Sequence, residues 1–155
     1  MTTITYGQAI DAIDASFHNV TNGIDLNDST VEAITLAVNN DLQIRDYLIG
    51  LPVSYDIKDC VNFLDYLARM AGDNNRYAFD TVNAMYQYEL ENMEACKRLI
   101  ASAREVNPDY SLTKLVYRVL QAGWPASSFA TMRSELAPKV AEHIAENIDY
   151  EIEVA

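Results

Sequence analysis

The sequence predicts an all-α fold, a single-domain bundle of about eight or nine helices joined by short connections. Three observations carry that prediction. Apolar residues recur at helical spacing along most of the chain. Cap and stop residues (Thr5, Asp41, Gly72, Asn92, Pro108, Gly123) punctuate those runs at helix-length intervals. No segment sustains the period-two alternation of a half-buried strand, and no Asn-Gly turn joins two β-rich runs. A chain of 155 residues, half of them hydrophobic, is one domain by length and can bury a real core.

Thr5-Tyr6-Gly7-Gln8 has the form of a capping box. It opens a helix whose stripe is Tyr6, Ala9, Ile10, Ile13, Phe17 and Val20, with Gly7 softening its first turn. Ser29-Thr30-Val31-Glu32 reads as a second box, followed inward by Val31, Ile34 and Val38. Asn39-Asn40-Asp41 breaks that helix and caps a third carrying Leu42, Leu48 and Ile49. Gly50-Leu51-Pro52 stops it, read as a left-handed glycine followed by proline.

From Asp56 a long stripe runs through Ile57, Cys60, Val61, Leu64, Leu67 and Ala68 to the stop at Gly72. The next helix, to about Glu91, is apolar on two faces, with Ala78, Thr81, Met85 and Tyr88 on one and Phe79, Val82, Tyr86 and Leu90 on the other. Such a helix belongs between neighbours, near the centre of the bundle. Asn92 caps a helix with Met93, Cys96, Leu99, Ile100, Ala103 and Val106 inward, which Pro108 blocks from continuing. Ser111 is read as the next cap, before Leu112, Leu115, Val116, Val119 and Leu120. A short helix after Ser127 or Ser128 and a separate last helix with Pro138 in its first turn complete the reading. The acidic end, Asp149, Glu151 and Glu153, is expected to fray. The Leu64–Gly72 and Leu115–Gly123 stretches echo each other weakly, as stacked helical hairpins would.

Within the middle of the chain, the Cys96, Ile100, Ala103 and Pro108 spacing resembles the second helix of a tetratricopeptide-type repeat. A wider stretch, from Ile44 to Pro125, resembles the C-terminal part of an actinobacterial family known only as a domain of unknown function (four-one-nine-two). The shared residues are Arg45-Asp46, Leu67-Ala68-Arg69 with Ala71-Gly72-Asp73, the small-residue helix Ala95 to Ala103, "NPDYSL" and "QAGWP". The resemblance implies a helical scaffold and names no reaction. The family's usual N-terminal α/β region has no counterpart in residues 1–43, which read as helical. A composition rich in Asn and Tyr departs from the actinobacterial pattern and fits a phage or mobile-element version. Three regions follow: acidic helices in 1–43, a family-like helical core in 44–125, and C-terminal helices with an acidic tail in 126–155.

Net charge is −12, and its placement is uneven. Residues 1–44 carry six acids and residues 140–155 five, neither with any Lys or Arg. Direct binding to a nucleic-acid backbone is disfavoured, because phosphate contacts need clustered cations. No run reaches the roughly 20 apolar residues of a membrane span. The start of the chain lacks a secretory pattern, so the expected location is the cytoplasm, or the host cytoplasm for a phage-encoded protein. Cys60 and Cys96 lie on apolar faces and are expected to be small buried residues.

Neither histidine, His18 with Asp14 or His143 with Glu146, is part of a metal-ligand pattern. No phosphate-cradling loop, nucleophile elbow or triad-like set is present, so no catalytic, cofactor or metal residue is singled out and no cofactor is expected. The basic residues Lys97, Arg98, Arg104, Lys114 and Arg118 read as a solvated face. The leading functional expectation is a non-catalytic protein–protein interaction module, binding a protein partner or self-associating as a homodimer. Its candidate contact residues are the aromatics Tyr86, Tyr110 and Trp124 and the carboxylates Asp11, Asp14, Glu151 and Glu153. The alternatives are an acidic decoy, mimicking nucleic acid toward a basic host protein, and a small enzyme with a carboxylate site between helices.

Overall fold

A computed structural model describes residues 2–154 of the chain. Among these residues are eight α-helices and one two-stranded antiparallel sheet, and the chain is an all-α single-domain bundle. Strand β1 (Thr3–Thr5) leads directly into α1 (Tyr6–Thr21). The capping box forms as expected: the Gln8 amide donates to Thr5 Oγ1 at 3.1 Å and the Thr5 amide to Gln8 Oε1 at 2.9 Å. One turn of apolar spacing at a time, α1 then buries Tyr6, Ala9, Ile13 and Phe17.

Helix α2 (Asp28–Asn40) starts two residues earlier than the Ser29 box implies. Asn27 is its cap, accepting from the Thr30 amide at 2.8 Å, and Ser29 instead donates to Asn27. Asp41 caps α3 (Leu42–Ile49) as expected, and its second carboxylate oxygen accepts from the Tyr6 hydroxyl at 2.9 Å. Leu42 points outward at that helix start rather than into the core. Gly50 ends α3 at φ −79°, not in the left-handed region. The residue is small for another reason: a Cβ there would stand 3.3 Å from the Ala137 Cβ, so glycine lets α8 come close.

A short 3₁₀ turn (Leu51–Val53) leads into α4 (Ile57–Ala71), capped by Asp56. Helix α5 (Tyr77–Glu89) is the central element. Every residue from Ala78 to Tyr86 is buried, and α5 packs against α3, α4, α6, α7 and α8. Helix α6 (Met93–Val106), capped by Asn92, folds back on α5 through a three-residue connection, 90–92. Helix α7 (Ser111–Ala122) makes no side-chain cap bond through Ser111, because Tyr110 occupies the cap position. Gly72 at φ +86° and Gly123 at φ +66° end α4 and α7 in glycine-favouring backbone, as their positions in the sequence imply.

The largest departure is at the C-terminal side. Residues 128–146 form one helix, α8 (Ser128–Glu146), which runs straight through Pro138 instead of restarting there. Proline removes one helical hydrogen bond at a cost of about 3 kcal/mol. Burial of Phe129, Val140 and Ile144 against the bundle on both sides of the proline offsets that loss. The tail does not fray either. Strand β2 (Glu151–Glu153) pairs with β1 in the register Thr3↔Glu153, Ile4↔Ile152, Thr5↔Glu151. Ile152 and Val154 are both 5 % exposed and join the core, so hydrophobic burial outweighs the unfavourable acids of the tail.

Candidate functional site

The sheet is the means by which distant acidic segments meet. Besides the strand pairing, the Tyr6 amide donates to the Tyr150 carbonyl at 2.9 Å and the Gly7 amide to the Ile148 carbonyl at 3.0 Å. The Tyr6 ring lies 5.0 Å from that of Tyr150 and 6.2 Å from that of His143. A Cβ on Gly7 would stand 3.0 Å from Ile148 Cγ1, so the glycine that looked like a weak helix start is what admits the tail. The start of α1 and the end of α8 are therefore tied side by side. Asp11, Glu142, Glu146, Asp149, Glu151 and Glu153 are all exposed around this clasp. Tyr150 and Ile148, both exposed, supply apolar surface among them.

A groove lies on the same half of the molecule, between α1, α3 with its following turn, and α8. It encloses about 510 Å³, within the usual range for small-ligand and side-chain sites. Leu51, Val53, Ala137 and Val140 give it apolar walls, and Asp14, Asp46, Tyr47 and Tyr55 bring polar and aromatic groups. The Tyr47 hydroxyl donates to Asp14 Oδ1 at 2.7 Å. Burial, and then this bond to a carboxylate, push the Tyr47 phenol well above its ordinary value. Arg45 donates from Nε and Nη2 to one oxygen of Asp46, Oδ1, at 3.0 and 2.8 Å. Tyr55 stacks on Phe17 with ring centroids 4.1 Å apart. Pro138 also lines the groove and has no N–H to offer the Ser134 carbonyl one turn back.

A third polar region runs through the α4–α5–α6 seam. Asp80, 1 % exposed, accepts from Arg76 Nε at 2.9 Å and Nη2 at 3.2 Å and from the Ser102 hydroxyl at 3.3 Å. Asn83 donates to Asp65 at 2.7 Å, and desolvation raises the Asp65 carboxyl above its ordinary value. The buried Thr81 and Thr113 hydroxyls pair at 2.7 Å across α5 and α7. These bonds pair most of the polar groups of the seam, Asn83 Oδ1 being left without a partner, and they tie its helices together.

The aromatic candidates separate cleanly. Tyr86 is 1 % exposed and its hydroxyl donates to the Leu48 carbonyl, so it is a core residue with no surface to offer a partner. Tyr110 is half-buried, edge-on to Tyr77 and near the Arg45 guanidinium, and fixes the corner between α6 and α7. Trp124 is 55 % exposed, although Tyr88 anchors its backbone carbonyl. Of the acidic candidates, Asp14 faces the groove while Asp11, Glu151 and Glu153 stand on the open surface. The basic residues of α6 and α7 are exposed, with Lys114 3.7 Å from Asp109 and Arg104 stacked 3.9 Å over the Tyr117 ring. Both cysteines are buried and unpaired, their thiols pushed up to about 12 for Cys60 and about 11 for Cys96, chiefly by desolvation. Among the described residues no group of three or more His, Cys, Asp or Glu could hold a metal ion, and no helix is long and apolar enough to cross a membrane.

No protein-family model matches the sequence, and no curated protein and no solved structure is significantly similar to it.

Proposed function

We propose that the protein is a non-catalytic interaction module that engages a basic partner protein through its acidic half. The supporting observation is the clasp. It converts two acidic segments, separated by most of the chain, into one surface that carries exposed Tyr150 and Ile148 among its carboxylates. A field of one sign attracts an oppositely charged partner and speeds its encounter, while apolar patches within it supply short-range affinity. Arg45, Arg76 and Arg133 are paired, and the other bases lie in α4, α6 and α7, except Lys139, which stands in α8 one turn before Glu142 at the edge of the clasp.

The acidic decoy is the narrower form of this reading, in which the carboxylates occupy the nucleic-acid groove of the partner. On the same reading the scaffold is the helical part of the four-one-nine-two family, with α5 and α6 as its tetratricopeptide-like hairpin. It would then be carried by a phage or mobile element and act in the host cytoplasm. The test is affinity capture from that cytoplasm with the native chain and with a variant carrying Glu142, Glu146, Glu151 and Glu153 all changed to Gln. The expected result is one or more basic proteins retained by the native chain, released by moderate salt and lost from the variant. Equal capture by both chains refutes the reading, and so does a sharp preference for acidic partners.

A further inference from the structure

The groove between α1, α3 and α8 has a lining chemistry that selects its occupant. This inference rests on the interaction reading above and deepens it. Lysine and arginine side chains are absent from the lining, and its charged members are Asp14 and Asp46. The hydrogen bonds those carboxylates already make all fall on Oδ1: Tyr47 bonds Asp14 there, and Arg45 bonds Asp46 there. Each therefore keeps an oxygen with acceptor capacity, Asp46 beside the Arg45 guanidinium that it already holds and Asp14 in no ion pair among the described residues. Around these acceptors the walls are apolar, and two tyrosine rings face the space. An apolar channel with acceptors and aromatic faces complements a group that has a hydrocarbon stem and a cationic head. A carboxylate or phosphate ligand would meet like charge, and a purely apolar one would leave the carboxylates desolvated.

We infer that this groove takes the arginine or lysine side chain of the partner polypeptide, its stem along Leu51 and Val140 and its head at Asp14, the lining carboxylate that holds no cation of its own. The source is a polypeptide because α1 and α8 carry both the groove and the acidic clasp. A basic segment lying across the clasp reaches the groove without leaving the surface. Charge-assisted bonds of this kind are about twice as strong as neutral ones, which makes the groove the anchor and the clasp the steering field.

The experiment is a backbone-amide NMR titration of the full chain with two probes, agmatine and a capped glycine-serine peptide bearing one arginine. Amide shifts are expected to concentrate at 12–16, 46–55 and 134–141 for both. Two variants follow: Asp14→Asn removes a charge and keeps an acceptor for Tyr47, and Ala141→Trp, at an exposed position on the rim, fills the groove. Each should weaken both probes, and the captured partner, at least 10-fold. Shifts scattered elsewhere, or none, overturn the inference. Agmatine binding with partner affinity unchanged in Ala141→Trp also overturns it, showing a free-amine site instead. Failure here leaves the interaction reading standing, because that reading is tested separately, by what the native chain and the four-Gln clasp variant capture.

Discussion

Replacing Ile152 with alanine tests the clasp, on which the functional reading depends. Ile152 sits at the middle of β2, opposite Ile4, and is 5 % exposed within the main core. The substitution deletes its γ and δ carbons from that site. At about 0.8 kcal/mol per buried carbon the transfer loss is about 2.4 kcal/mol. A residual cavity raises such losses further, but a strand this close to the chain end relaxes easily, so about 2–3 kcal/mol is the expected total. For a domain of this size each kcal/mol moves the melting temperature by about 2–4 °C, giving a drop of about 4–12 °C. The assay is thermal and urea unfolding followed by far-UV circular dichroism, with Glu153→Gln as the control on the exposed face of the same strand. If Ile152→Ala and Glu153→Gln melt together, the tail is not part of the core and the clasp argument fails. Amide exchange supplies a second readout, since the Tyr6 and Gly7 amides should lose protection in Ile152→Ala while those of α5 keep it.

Three further outcomes follow from the core and the clasp. Gly7→Ala forces a Cβ to within 3.0 Å of Ile148, so it should destabilise the chain by about 1–3 kcal/mol in urea unfolding, although alanine is the better helix former. Arg76→Met leaves Asp80 buried without its charged partner and should cost about 3 kcal/mol in the same assay, whereas Lys114→Met at an exposed pair should leave the midpoint unchanged. Cysteines in the unfolded chain ionise near 9.0, while folding holds Cys60 and Cys96 neutral up to about 12 and about 11. The unfolded state thus releases its protons first, and stability should hold below pH 9 and decline from there toward those two values. Urea midpoints measured across that range check the sign. In the native state neither thiol should react with a colorimetric disulfide reagent near neutral pH.

The helical architecture was legible because its signals are local and repeated. The Thr5–Gln8 box, the Asp41 and Asn92 caps and the two-faced apolar pattern of α5 each act within a few residues. The misreadings came where a distant segment decides the outcome. Thr3-Ile4-Thr5 and Glu151-Ile152-Glu153 do alternate, but three residues fall below the length at which alternation is informative, and only their pairing makes strands of them. Gly7 and Gly50 looked like a soft start and a helix stop, whereas both serve close approach to residues 141 and 87 positions away. Pro138 has the sequence context of a helix start and is carried through because packing holds α8 on both sides. Tyr86 lies on an apolar face of the two-faced α5, a pattern that already places it inside, and reading it as a contact residue rests on side-chain type against that pattern. The groove had no signal in the sequence beyond Asp14, because its lining comes from three separate elements.

The most direct measurement is the amide-exchange footprint of a captured partner on the native chain. Protection is expected at residues 11–14, 46–55 and 134–153, with the exposed face of α6 and α7 unchanged. Protection centred on Lys97, Arg98, Arg104 and Arg118, with the clasp and groove exchanging as in the free protein, would contradict the proposed contact surface.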